Sequence, residues 1–206
     1  MRTQVKVWLA VGFVVAALVA TLLIITGKDE PAVANGPAAA PTPTAPATAT
    51  QVQQQDTGKA PATVALPGGG SAKLVAEDLD ADGALKIPQG LDEAAWWGAK
   101  LGADKGVALL SGHVNWKGSK GPFMELWQVK QGQEVKLTDA AGGAWTYRID
   151  SVVTVHKSEL ASKSEELFNP DGPHKLVLVT CGGEYVGGKE GYEDNRVVTA
   201  SLVSGA

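Results

Sequence analysis

Lys175-Leu176-Val177-Leu178-Val179-Thr180-Cys181-Gly182-Gly183 is the stretch on which the fold turns. Four aliphatic residues in a row, two of them β-branched, read as a core β-strand. Thr180 and Cys181 stand at its exit, and two glycines follow. A side chain at the mouth of a core strand is held rigidly by the sheet. Adjacent glycines let another backbone come close. A free cysteine is by default a small buried hydrophobe, but this placement argues for an accessible thiol.

Working outward, short β-type runs alternate with turn signals. Candidate strands are Thr63–Leu66, Ala72–Val75, Ala84–Ile87, Gly106–Leu110, Glu134–Thr138, Ala144–Val155 and Arg196–Val203. The turn Asp139–Gly143 makes a hairpin of Glu134–Thr138 and Ala144–Val155. Two short helices are expected, over Asp92–Trp97 with Asp92 as cap and over Pro122–Val129 with Pro122 in the first turn. Seven or eight strands with little helix in about 145 residues predict a small antiparallel or mixed β-barrel spanning 62–206.

The start of the chain has a different character. Val7–Ile25 is an apolar run whose length as a helix, roughly 28 Å, matches the hydrocarbon core of a bilayer. Arg2 and Lys6 precede it, which predicts a cytoplasmic tail over 1–6, a transmembrane helix over 7–26 and an exported remainder. Ala32-Val33-Ala34 offers the competing reading of a cleaved signal peptide. Residues 27–61 form an Ala/Pro/Thr-rich linker holding six of the eleven prolines, and its composition predicts a disordered tether.

Composition narrows the chemistry. A net charge of −4 over 206 residues gives no global basic field, so nucleic acid is not an expected partner. One cysteine cannot form an internal disulfide, and an odd thiol in an exported chain raises the question of reactivity. A lone cysteine and scattered histidines do not supply a metal site. Asp78, Asp80 and Asp82 before Gly83 resemble a calcium loop, but too few other acidic partners stand near and a simple polar turn is the better reading.

Three residues carry the candidate chemistry. His113 mirrors Cys181, since it leaves the strand Val107–Leu110 through Ser111-Gly112. Arg196 opens the last strand, where an arginine is ordinarily a solvated charge. His156 and His174 read as solvent-facing. A thiol with a reference pKa of about 8.5, an imidazole that exchanges its proton and a cation for an oxyanion suffice for acyl transfer through a thioester. No cofactor is required. A tethered β-domain that binds a wall polymer or a partner protein is the non-catalytic alternative.

These residues also carry a family resemblance. Leu178-Val179-Thr180-Cys181 resembles the Leu-x-Thr-Cys signature of sortases. Ser111-Gly112-His113-Val114 is similar to the segment around the family's histidine, and Arg196-Val197-Val198-Thr199-Ala200 to its arginine-bearing last strand. Thr180-Cys181-Gly182-Gly183, Trp96-Trp97 and Tyr192-x-Asp194-Asn195 are most similar to class F sortases of actinobacteria. The resemblance implies an eight-stranded sortase barrel on the outer side of a Gram-positive cell membrane. It implies cleavage of a C-terminal Leu-Pro-x-Thr-Gly-type sorting signal between Thr and Gly, and transfer of the acyl group to an amine of a peptidoglycan precursor or a pilin. Surface proteins bearing the signal would be the substrates. Cys181 would be the nucleophile, His113 the proton donor, Arg196 the oxyanion partner, and Thr180 and Gly182 substrate-binding positions. Counting back from Ala200, however, Asn195 aligns with the usual arginine position. A one-residue shift turns a strand side chain to the opposite face. Arg196 is therefore expected to need a bulge in the Gly182–Asn195 segment to reach the site.

The order and surroundings argue against two other exported cysteine enzymes. L,D-transpeptidases carry a Ser-His-Gly run before the cysteine, and papain-like hydrolases place the cysteine before the histidine. Neither pattern occurs here.

Overall fold

The structure is a computed structural model that describes residues 57–80, 83–188 and 191–206. The expected cytoplasmic tail, transmembrane helix and most of the tether lie outside these residues. Among the described residues no helix is long and apolar enough to cross a membrane.

Eight strands close into a barrel in the order β1-β2-β3-β4-β9-β10-β8-β7. They are β1 (Pro61–Ala65), β2 (Ser71–Ala76), β3 (Glu93–Gly98), β4 (Val107–Gly112), β7 (Glu134–Asp139), β8 (Ala144–His156), β9 (Lys175–Gly187) and β10 (Gly191–Gly205). A two-residue hairpin, β5 (Asn115–Trp116) and β6 (Ser119–Lys120), stands outside the barrel. Residue 59 already pairs with the folded body, through backbone hydrogen bonds between Lys59 and Leu101. The folded body therefore includes Lys59, which lies before the expected boundary at 62.

The run 176–179 is apolar throughout because β9 is covered on both faces. Leu176 and Leu178 point into the barrel with Leu110, Phe123, Tyr147, Val198 and Ala200. Val177 points outward with Val107, Leu109, Val155 and Val197, and Leu160, Leu167, Phe168 and Val179 pack against that outer cluster. Truncating a core leucine such as Leu178 to alanine would cost about 2–5 kcal/mol.

The expected hairpin is present, with β7 and β8 paired antiparallel from Glu134↔Arg148 to Thr138↔Ala144. Asp139 ties its turn together. One carboxylate oxygen accepts from the Ala141 and Gly143 amides and the other from the Trp145 indole. The Gly143 amide and the Trp145 indole hold the Asp139 carboxyl below the ordinary carboxylate range.

Three expectations are corrected. The helix expected over Asp92–Trp97 is strand β3, which pairs parallel with β2 and antiparallel with β4. Ala84–Ile87 is not a strand, and only a single bridge, Leu79↔Leu85, forms there. An α-helix that the sequence reading missed, α1 (Lys157–Phe168), follows β8. His156 caps it by accepting from the Ser158 amide, and Lys163 pairs with Glu159 one turn back. The second expected helix is present as a 3-10 helix over Pro122–Trp127, whose Phe123 and Leu126 are buried at the barrel's end.

Candidate active site

Parallel strands β4 and β9 set the site's geometry. Ser111 is level with Val179 in their register. Two residues further along each strand direction come His113, just past the end of β4, and Cys181, which is not at a strand exit as expected but inside β9, where pairing with β4 has ended and pairing with β10 continues. Cys181 shares the outward side of β9 with Val177 and Val179 and is half-buried. Thr180 alternates with it and points inward, 1% exposed, where its hydroxyl donates to the Gly112 carbonyl at 2.8 Å. That hydrogen bond staples the cysteine-bearing strand to the end of the histidine-bearing one. Glycine is needed at 112 because a Cβ there would run into the Phe123 ring.

The His113 ring is held from two sides. It stacks on Trp116 with centroids 4.6 Å apart and planes inclined by 25°. Its Nε2 lies 2.9 Å from the Pro88 carbonyl, on the crossover between β2 and β3. A carbonyl only accepts, so Nε2 carries the proton, and in the neutral ring Nδ1 has the free lone pair. Below the ring, Gly121 donates to the Val114 carbonyl at 2.9 Å and closes the β5–β6 hairpin against the His113 backbone.

On the other flank, the Trp127 indole donates to the Cys181 carbonyl at 3.1 Å. Gly182 lies flat against that indole, and any Cβ at 182 would overlap the ring. Gly182 therefore seats Trp127. Beyond it, Gly183–Gly187 continues β9, so much of what the sequence suggested as a glycine-rich loop is β-ladder with β10. Near the hairpin's end Tyr185 and Tyr192 meet edge to face, and Asn115 donates to the Tyr192 hydroxyl, which links the β9–β10 hairpin to β5.

Arg196 lies on the other side of β10 from Cys181. The β9–β10 register runs unbroken from Asp194↔Gly182 to Ala200↔Leu176, which pairs Asn195 with Cys181 and Arg196 with Thr180. The register shifts fall earlier, between Gly191 and Asp194, so no bulge turns Arg196 around. Its guanidinium sits 5.3 Å from the Trp127 ring centre and donates to the Thr154 hydroxyl at 2.8 Å and the Leu126 carbonyl at 3.3 Å. In the strand register His113 and Cys181 thus fall at the same level, while Arg196 lies on the far side of β10 against Trp127. Thr180 and Gly182 adjoin the cysteine, but one spends its hydroxyl on Gly112 and the other is covered by the indole. Trp127 and Pro88 were missed by the sequence reading, because neither residue type signals a carbonyl contact or an indole clamp.

Of the remaining histidines, His156 caps α1 and is exposed. His174 is not solvent-facing as expected. It lies partly buried, its Nε2 2.8 Å from the Tyr147 hydroxyl. Burial pushes the His174 imidazole below its ordinary value and the Tyr147 phenol up to about 12. Among the described residues no group of three or more His, Cys, Asp or Glu side chains is arranged to hold a metal ion. Asp80 works as a turn residue, its carboxylate accepting from the Ala84 amide. Asp82 lies outside the described residues.

The Sortase domain family profile matches residues 70–203. This chain belongs to the sortase family. Sortases are cysteine transpeptidases, and this chain's one cysteine is Cys181. Solved sortases share the fold at low identity. Sortase C1 of Streptococcus agalactiae, in complex with MTSET, is 17% identical with a TM-score of 0.52, over 69% of this chain and 66% of its own length, just under two thirds. The SrtA sortase from Actinomyces oris is 15% identical with a TM-score of 0.52, over 74% of this chain and 86% of its own. Sortase A from Corynebacterium diphtheriae, a lid mutant, is 17% identical with a TM-score of 0.52, over 75% and 76% respectively. A comparison with curated protein sequences finds no match.

Proposed function

We propose that this sortase is a cysteine transpeptidase of the class F type, held outside the cytoplasmic membrane of a Gram-positive bacterium by a helix over 7–26 and a tether over 27–61. Its substrates are surface proteins ending in a Leu-Pro-x-Thr-Gly-type signal. Its acceptor is an amine of a peptidoglycan precursor or a pilin. The observation that carries this reading is the shared level of His113 and Cys181 where the pairing of parallel strands β4 and β9 ends, joined by the Thr180–Gly112 hydrogen bond. The class F assignment rests on the Thr180-Cys181-Gly182-Gly183, Trp96-Trp97 and Tyr192-x-Asp194-Asn195 motifs.

In the first half-reaction the Cys181 thiolate attacks the Thr carbonyl carbon. A C–S bond forms, the Thr–Gly C–N bond breaks, and His113 delivers a proton to the departing glycine amine. With the Nε2 proton held by Pro88, Nδ1 is the nitrogen that exchanges protons. In the second half-reaction the acceptor amine attacks the thioester, a C–N bond forms, the C–S bond breaks, and the proton lost by the amine passes through His113 to Cys181. Arg196 acts at one remove in this scheme. Its guanidinium holds Trp127, and Trp127 holds the Cys181 carbonyl.

Cleavage of a fluorogenic Leu-Pro-x-Thr-Gly peptide by the exported domain tests the reading. Cys181→Ala and His113→Ala should each abolish it. Persistent cleavage by Cys181→Ala, or an untouched peptide in the wild-type reaction, would overturn it.

A further inference from the structure

Asn195 stands directly across the ladder from Cys181. Cross-strand partners face the same side, with Cβ atoms about 4.5–5.5 Å apart. Asn195 is only 6% exposed, yet among the described residues its side-chain amide has no hydrogen-bond partner. Neither of its polar atoms is sealed in, since the one buried side-chain polar atom without a partner among the described residues is His174 Nδ1. The amide is thus uncommitted and reachable from solvent, on the face of the sheet that carries Cys181. The neighbouring donors are already engaged. The Thr180 hydroxyl is bonded to Gly112, and the Arg196 guanidinium to Thr154 and Leu126 on the other face.

We infer that Asn195 is the oxyanion donor of this site, its amide N–H meeting the substrate carbonyl oxygen as Cys181 attacks. The inference rests on the acyl-transfer reading above. An asparagine presents two N–H donors on a short stem that loses little freedom when buried. Its position beside the nucleophile suits an oxygen that gains charge only as the C–S bond forms. Its amide is neutral, so unlike a guanidinium it gives no general attraction to the ground-state peptide. Donors of this kind raise the rate of the chemical step by about 10²–10³.

The test compares wild-type protein with Asn195→Ala and the near-isosteric Asn195→Asp, which lacks the donors. Single-turnover thioester formation with a Leu-Pro-x-Thr-Gly peptide is measured beside alkylation of Cys181 by iodoacetamide, a reaction with no oxyanion. The expected result is about a 10²–10³-fold loss of acylation in both variants. KM should hold within about threefold, and alkylation by Asn195→Ala should do the same. Acylation within about threefold of wild type in both variants overturns the inference. So does an equal loss of acylation and alkylation in Asn195→Ala, which would mean the sulfur had moved. Wild-type protein that forms no thioester overturns the acyl-transfer reading as well, so the two failures are told apart.

Discussion

Thr180→Val probes the staple between β9 and the end of β4. The substitution keeps the β-branched shape and replaces the hydroxyl with a methyl group. It removes the 2.8 Å hydrogen bond to the Gly112 carbonyl. Thr180 is 1% exposed, so water cannot easily replace the lost donor. An acceptor left unpaired in such surroundings costs about 1–3 kcal/mol. For a domain of this size 1 kcal/mol shifts Tm by roughly 2–5 °C, so the expected loss is about 2–15 °C by calorimetry. Activity should fall further than stability explains. Once the staple is gone, His113 and Cys181 are no longer registered to each other, and misplacement by about 1 Å costs of order 10²-fold in rate. Thr180→Ser, which restores the hydroxyl, should recover most of the rate. The reasoning is refuted if Thr180→Val acylates at the wild-type rate, or if Thr180→Ser is as impaired as Thr180→Val.

Other perturbations test other parts of the account. Gly182→Ala should displace the Trp127 indole, cost about 1–3 kcal/mol in urea unfolding and slow acylation, whereas in a Trp127→Ala background the added cost should fall below about 1 kcal/mol. Burial holds His174 below its ordinary value and Tyr147 above it. The stability due to neutral His174 is present above about pH 6.5 and lost as pH falls toward the folded value; that due to neutral Tyr147 is present below about pH 10 and lost as pH rises toward about 12. Tm against pH should therefore decline at both ends, and His174→Gln should flatten the acid limb near pH 6; an unchanged acid limb would contradict this. Asp139→Asn should lower Tm at pH 7, because its amide group would face the Trp145 indole N–H donor to donor.

The barrel was legible where local pattern and burial agree. Leu176–Val179 reads as core strand because both faces are covered, and Asp139–Gly143 reads as a turn because the Asp139 side chain bonds its own turn amides. Glu93–Gly98 was misread because Asp92 resembles a helix cap. Placement between β2 and β4 decides otherwise, with Ala94, Ala95 and Trp96 buried in the sheet. Helix α1 went unseen because it buries no residue fully and follows directly from a long strand. In the site, the level shared by the cysteine and histidine follows from their strands, but β9 runs past Cys181 to Gly187 as a ladder with β10, so the cysteine is not at the strand exit that the glycines suggested. The facing of Arg196 was not readable, since it depends on where the ladder shifts register. That shift occurs before Asp194, too early to rotate Arg196 toward Cys181.

Intact-mass analysis of the exported domain mixed with a sorting-signal peptide bears most directly on the central claim. The account predicts a mass gain equal to the peptide fragment ending in Thr, released by hydroxylamine and absent in Cys181→Ala. No adduct on wild-type protein, or the same adduct on Cys181→Ala, would contradict it.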